Sequence, residues 1–247
     1  MKRFWIKTVL AVASLTCAAA AQASMVTTSI DFENVDTTSA PFAPLMVDGD
    51  AVLQGDYFIN TQDAHNGGGL IAQLSNGSDP TSCLNGACPN NLTNFLSVYN
   101  DGIVHFGRLD GRATIFDSLS AAFLQTPGFA GSIYLAIESD RSDGTYAAYA
   151  YALGTNGAFK TITASTPGGI LLGGSGALDS PDVTDMFLYA YYCPSGGSCN
   201  AFTSDKAQFA LDNLVVSVIP EPSAFLLAFT ALGALGFARK TARRRSV

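Results

Sequence analysis

Seventeen aspartates and two glutamates lie between residues 24 and 217, against two histidines, His65 and His105. Carboxylates at this density suit a hard divalent cation, which prefers oxygen ligands. The turns Asp140-x-x-Asp143-Gly144 and Asp48-Gly49-Asp50 are oxygen-rich. A second arrangement would bring Asp31 or Glu33, near the start, to Asp212, near the end. A structural calcium is the one cofactor expectation, with Glu33, Asp140, Asp143 and Asp212 as candidate ligands; solvated turn carboxylates are the competing reading. The glycine-rich stretch 173–179 puts Asp179 one place late for a calcium-binding glycine repeat.

Covalent and hydrolytic chemistry find less footing. Gly173-Gly174-Ser175-Gly176 reads as a turn, and no G-x-S-x-G elbow is present. No H-E-x-x-H pair exists to hold a zinc ion. Glycoside hydrolysis needs two carboxylates flanking a bond, but among 19 acids some pair is inevitable and none is singled out. The chain is therefore read as non-enzymatic. Tyr146, Tyr149, Tyr151, Tyr189, Tyr191 and Tyr192 could stack on sugar rings or pack a sheet. Alternation puts Tyr149 with Tyr151, and Tyr189 with Tyr191, on one face each.

The elements that would position these groups are strands. Alternating apolar residues mark Thr28 to Phe32, Gly55 to Asn60, Phe95 to Tyr99, Ile103 to Gly107, Ala113 to Phe116, Leu119 to Leu124, Ser132 to Ser139, Tyr146 to Leu153, Phe159 to Ala164, Met186 to Tyr192 and Gln208 to Val218. Asn100-Asp101-Gly102 predicts a hairpin between its flanking strands, since these residues tolerate positive φ. A long polar loop is expected from His65 to Asn94. Gly, Ser, Thr, Asn and aromatics are abundant, and no helical periodicity appears before the C-terminus. The fold class this predicts is all-β: an antiparallel two-sheet sandwich, jelly-roll-like. To it the sequence adds an N-terminal signal helix and one C-terminal transmembrane helix.

Four cysteines of the body stand in close pairs, Cys83 with Cys88 and Cys193 with Cys199. Local disulfides are the preferred reading among three connectivities, with a four-thiolate zinc site as the alternative.

Both ends read as targeting segments. Residues 1–23 carry a basic start, an apolar alanine-rich stretch and Ala21-Gln22-Ala23 before the expected cleavage. That leaves an ectodomain at 24–217. It keeps five of the 13 basic residues and 19 of the 20 acids, a net charge of −14. Such a body is not drawn to nucleic acid by charge. Residues 218–247 hold Pro220-Glu221-Pro222, an apolar run 223–238 and a basic tail 239–245. The run is 16 residues, just under the span of about 17–25 that crosses a bilayer, and its flanking cations would stay cytoplasmic. The prolines make residues 220–222 extended and accessible to a processing enzyme.

In order and spacing this tail resembles the PEP-CTERM sorting signal of Gram-negative bacteria, also catalogued as an ice-binding protein C-terminal domain. Gln208-Phe209-Ala210-Leu211-Asp212 is similar to the Q-F-x-x-D pattern of one subfamily. The resemblance implies signal peptidase and an exosortase-type enzyme as processing partners, with Pro220, Glu221 and Pro222 as the sorting motif. It implies an inner-membrane intermediate, then the cell surface or extracellular matrix. The functional expectation is a non-catalytic structural or carbohydrate-binding role in exopolysaccharide or biofilm; a secreted glycan-acting hydrolase is the alternative.

Overall fold

The computed structural model describes residues 25–219, apart from 66, 85–87, 90, 125–128 and 155–156. The signal segment 1–23, the sorting motif 220–222, the apolar run and the basic tail lie outside the described residues. Residues 27–218 make one compact unit.

That unit is an all-β, antiparallel two-sheet sandwich. The first sheet contains β1 (Val26–Ile30), β2 (Leu45–Val47), β5 (Leu70–Asn76), β6 (Asn94–Val98), β8 (Ile115–Phe123), β11 (Lys160–Thr163) and β14 (Phe209–Val218). The second contains β3 (Ala51–Gln54), β4 (Tyr57–Gln62), β7 (Ile103–Arg108), β9 (Gly131–Arg141), β10 (Tyr146–Ala152), β12 (Ile170–Gly174) and β13 (Val183–Pro194). Its order is β12-β10-β9-β13-β7-β4-β3.

Period-2 alternation in the strands builds the core between the sheets. Ile133, Leu135 and Ile137 of β9 and Met186 and Leu188 of β13 meet Phe116, Phe123, Phe209 and Leu211 from the first sheet. β1 pairs with β14, and Phe209 and Leu211 face the core.

Three strand-level expectations are corrected. Asn100 and Asp101 do take left-handed backbone (φ 53° and 54°), but the turn joins β6 of one sheet to β7 of the other, so no hairpin forms. Gly102 is required at this corner: a Cβ there would lie 2.6 Å from a methyl of Ile71. The two segments 113–116 and 119–124 merge into β8, whose register against β14 shifts between Asp212 and Val215. The long loop after His65 contains β5, which pairs with β2 and β6.

The outer face of the first sheet is covered. Cys83 and Cys88 are joined, and the bridge packs with Phe95, Tyr99, Ala122, Leu124 and Ala210 in a second small core. The Tyr99 hydroxyl donates to Gln73 Oε1 (3.3 Å), and Gln73 Nε2 donates to the Ser82 carbonyl (2.7 Å). Cys193 and Cys199 are also joined, so the zinc alternative is overturned and local pairing holds for both.

Candidate ligand-binding face

The outer face of the second sheet is built differently. With Ile133, Leu135, Ile137 and Ser139 turned inward, alternation leaves Tyr134, Ala136, Glu138 and Asp140 of β9 facing out. On β13 the same phase leaves Asp185, Phe187, Tyr189 and Tyr191 outside. Register aligns them: Asp140 opposes Asp185, Glu138 opposes Phe187, Ala136 opposes Tyr189 and Tyr134 opposes Tyr191. Next to β13, β7 contributes His105, opposite Phe187. On β10, next to β9, Ala148 opposes Glu138 and Ala150 opposes Ala136.

The floor is made of small residues. Ala136, Ala148 and Ala150 are 0%, 2% and 3% exposed although they lie on the face away from the core. Larger half-buried side chains rise around them. Tyr189 and Tyr191 lie 5.8 Å apart between ring centres, and Phe202, from the loop after β13, lies 5.2 Å from Tyr189. His105 stacks on Phe187 at 4.5 Å and meets the edge of Phe58 at 5.0 Å. Phe58 lies flat on the sheet because Gly107 has no side chain: a Cβ there would sit 2.7 Å from the Phe58 ring.

Carboxylates line the aromatic strip. Tyr189 donates its hydroxyl proton to Glu138 Oε2 (3.1 Å), and His105 Nε2 donates to Asp185 Oδ1 (2.8 Å). Burial pushes the Glu138 carboxyl up, the Tyr189 hydrogen bond opposes that, and the Asp140 charge adds to it. Burial and the Asp185 charge push Asp140 up, against a smaller pull from His105. Burial, then the Glu138 charge, pushes the Tyr189 hydroxyl well above its ordinary range. Asp140 Oδ1 is buried without a hydrogen-bond partner. No lysine or arginine among the described residues forms an ion pair with Glu138, Asp140 or Asp185. The face offers flat rings beside hydrogen-bond acceptors, which is the chemistry that grips a hydroxyl-rich, uncharged ligand.

The candidate tyrosines therefore separate. Tyr189 and Tyr191 join the outer face, whereas Tyr151 is buried in the core and Tyr149 packs against it, donating to the Gly176 carbonyl (2.9 Å). Tyr192 turns to the core side, beside Phe129. Sequence reasoning missed the grouping of His105, Phe187, Glu138 and Asp185. Their common phase along β7, β9 and β13 was a signal, but the register between those strands is not written locally.

The calcium candidates also separate. Asp143 is exposed in its turn and accepts from Thr145 N and Oγ1, which holds its carboxyl below the usual range, while Asp140 turns to Asp185. Glu33 and Asp212 are drawn toward one place. There the neighbour of β14 changes along its length, and Asn213 takes φ 48°. Asp212 is 1% exposed and accepts from Asn91 Nδ2 (2.7 Å), Thr93 Oγ1 (2.9 Å) and Asn213 N (2.7 Å). Glu33 accepts from Asn94 N and Nδ2, and Asp31 from Gln54 Nε2. Burial pushes Asp212 up to about 6, opposed by the Thr93 and Asn213 hydrogen bonds and helped by the charges of Asp31 and Glu33. Asn91, Asn94 and Gln54 turn amide N–H groups, not oxygens, to these carboxylates, and Asp31, Glu33 and Asp212 do not bring one oxygen each within 4.8 Å of one another.

No family model matches the chain, and no curated relative matches it. Among solved structures it is similar to a DUF4465 family protein from Bacteroides caccae, 10% identical over 77% of this chain and 98% of that one, with a TM-score of 0.46. It is also similar to a family 11 carbohydrate-binding module from Clostridium thermocellum in complex with a β-1,3-1,4-mixed-linked tetrasaccharide (15% identical, 79% and 97% covered, TM-score 0.32). A C-terminal family 22 carbohydrate binding module of Clostridium thermocellum is 15% identical, with 75% and 93% covered and a TM-score of 0.28. Likeness at this level carries no functional argument; the fold stands on the strand order and register above.

Proposed function

We propose that this is an exported, non-catalytic glycan-binding protein of the cell surface or extracellular matrix, and that it binds a neutral polysaccharide on the outer face of the second sheet. The observation that carries this reading is the strip of Phe187, Tyr189 and Tyr191 on one strand, beside Glu138, Asp140 and Asp185. Rings would stack on sugar faces, and carboxylates would accept from sugar hydroxyls. An anionic polymer would be repelled by three acids that no lysine or arginine among the described residues pairs. Glu138 and Asp140 stand side by side on one strand instead of facing each other across a bond, which favours binding over hydrolysis. The two disulfides fit an oxidising, extracellular compartment.

Export and sorting rest on the sequence: residues 1–23 as signal peptide and 218–247 as a PEP-CTERM signal read by an exosortase-type enzyme. Glu33 and Asp212 are the residues we assign to a structural calcium, with Asp31 beside them. A glycan array on the sandwich, which has its own core, tests the binding reading. Retention by neutral glycans supports it; binding to none, or release of reducing ends from a bound glycan, contradicts it. Glu221→Ala tests sorting, because the protein should then stay in the inner membrane.

A further inference from the structure

A second cluster lies beside the aromatic face, on three segments distant in sequence. His65, Asp101 and Asp205 place one ligand atom each within 4.8 Å of one another. Local structure holds each in place. Asp63 accepts from the backbone N–H of His65 (2.8 Å) and of Gly68 (3.1 Å), fixing the turn that presents His65. Asp101, in the corner between β6 and β7, is 1% exposed. Its Oδ2 accepts from Ser204 N and Asp205 N at 2.9 Å each, and its Oδ1 from Ala207 N at 3.1 Å. Those bonds wrap the loop 200–207 around Asp101 and bring the exposed Asp205 carboxylate next to it.

The charge of this cluster is not balanced by a basic side chain. Among the described residues no lysine or arginine pairs with Asp101 or Asp205. The neighbouring Lys206 instead sits over the Tyr192 ring, 5.3 Å from its centre. A further oxygen stands close by. His65 Nε2 donates to the Phe202 carbonyl at 2.5 Å, so that oxygen already lies at the imidazole. Gln208, 4% exposed, donates Nε2 to the Asp205 carbonyl (3.3 Å), while its Oε1 is buried with no partner.

We propose that His65, Asp101 and Asp205 bind a divalent transition cation, Zn2+ being the best match, with the Phe202 carbonyl as a fourth ligand. Imidazole and carboxylate together select zinc or manganese over calcium, which takes oxygen ligands. Around a tetrahedral zinc with bonds of about 2.0–2.2 Å, ligand atoms lie roughly 3.3–3.6 Å apart. The exposed side chains of His65 and Asp205 would close by up to about 1.5 Å to reach that spacing. The ion would displace the proton that His65 Nε2 now donates to the Phe202 carbonyl, and those two atoms would open from 2.5 Å to tetrahedral spacing. Because Phe202 also packs on Tyr189, the ion would fix the loop beside the aromatic face. That consequence rests on the glycan reading; the metal site does not.

The test is the melting temperature of the exported, chelator-treated protein with Zn2+, Mn2+ or Ca2+ added, and titration calorimetry without any glycan. Saturating Zn2+ should raise the midpoint by about 5–10 °C with one equivalent bound. His65→Ala and Asp205→Asn should each abolish the rise while melting like the parent when chelated. Cobalt added in place of zinc should give visible absorption bands that disappear in His65→Ala, a readout independent of stability. No shift with Zn2+ or Mn2+, a response to Ca2+ alone, or a zinc shift that survives both substitutions would overturn the proposal.

Discussion

The two outer faces of the sandwich have been treated in opposite ways. On the first sheet, a loop closed by Cys83–Cys88 lies on Phe95 and Tyr99, and the polar groups beneath it are paired. On the second, rings stand half-buried beside carboxylates around an alanine floor, and Asp140 Oδ1 has no partner. A buried acceptor without a donor costs stability, and clustered acids cost more as burial raises their affinity for protons. The first face is finished as structure. The second keeps an unsatisfied acceptor, Asp140 Oδ1, beside flat rings, an arrangement that a hydroxyl-bearing ligand would complete.

Substitutions that treat the faces alike should give opposite results. The largest effect is expected under the loop: Phe95→Ala should destabilise by about 3–5 kcal/mol and leave glycan affinity unchanged, read by denaturant unfolding and by affinity electrophoresis. Next comes Asp212, on the interior strand β14 of the first sheet. Asp212 titrates near 6 in the folded protein, above the value of about 3.9 for an unfolded chain. Its favourable contribution is therefore fully present below about pH 3.9 and is lost as pH rises through 6, a swing of about 2–3 kcal/mol. Asp212→Asn should flatten that segment of the stability–pH curve, and calcium should recover stability above pH 6 if Glu33 and Asp212 hold it. The smallest effect belongs to the open face: Glu138→Gln keeps an acceptor for the Tyr189 hydroxyl and should change stability by under about 1 kcal/mol. It should weaken glycan binding only a few-fold, measured by calorimetry.

Much of the fold was legible because alternation is local. β9 and β13 read cleanly, since Ile133, Leu135 and Ile137, and Met186 and Leu188, keep strict period-2 spacing. The local disulfides were legible for the same reason, the cysteines of each pair being five or six residues apart. Four strands were not: the short β2 and β3, and β5 and β12. β5 has consecutive buried residues, Ile71, Ala72 and Gln73, so its pattern does not alternate. β12 exposes Ile170, Leu171 and Leu172 at the sheet edge and ends in two glycines, so it resembled a turn. Asn100-Asp101-Gly102 carried correct turn chemistry, but whether two strands joined by a turn share a sheet depends on the whole topology. The candidate face was hidden for that reason. His105 looked like one more alternating residue until register set it beside Phe187 and Asp185.

The most direct test is to measure binding of Tyr189→Ala, alongside the parent, to a panel of soluble neutral and anionic polysaccharides, with melting curves recorded in parallel. The account predicts that the parent binds a neutral polymer and that Tyr189→Ala loses about tenfold or more in affinity, roughly 1.4 kcal/mol or more, while its melting midpoint barely moves. Unchanged binding in Tyr189→Ala, or a parent that binds only anionic polymers, would contradict the assignment of this face.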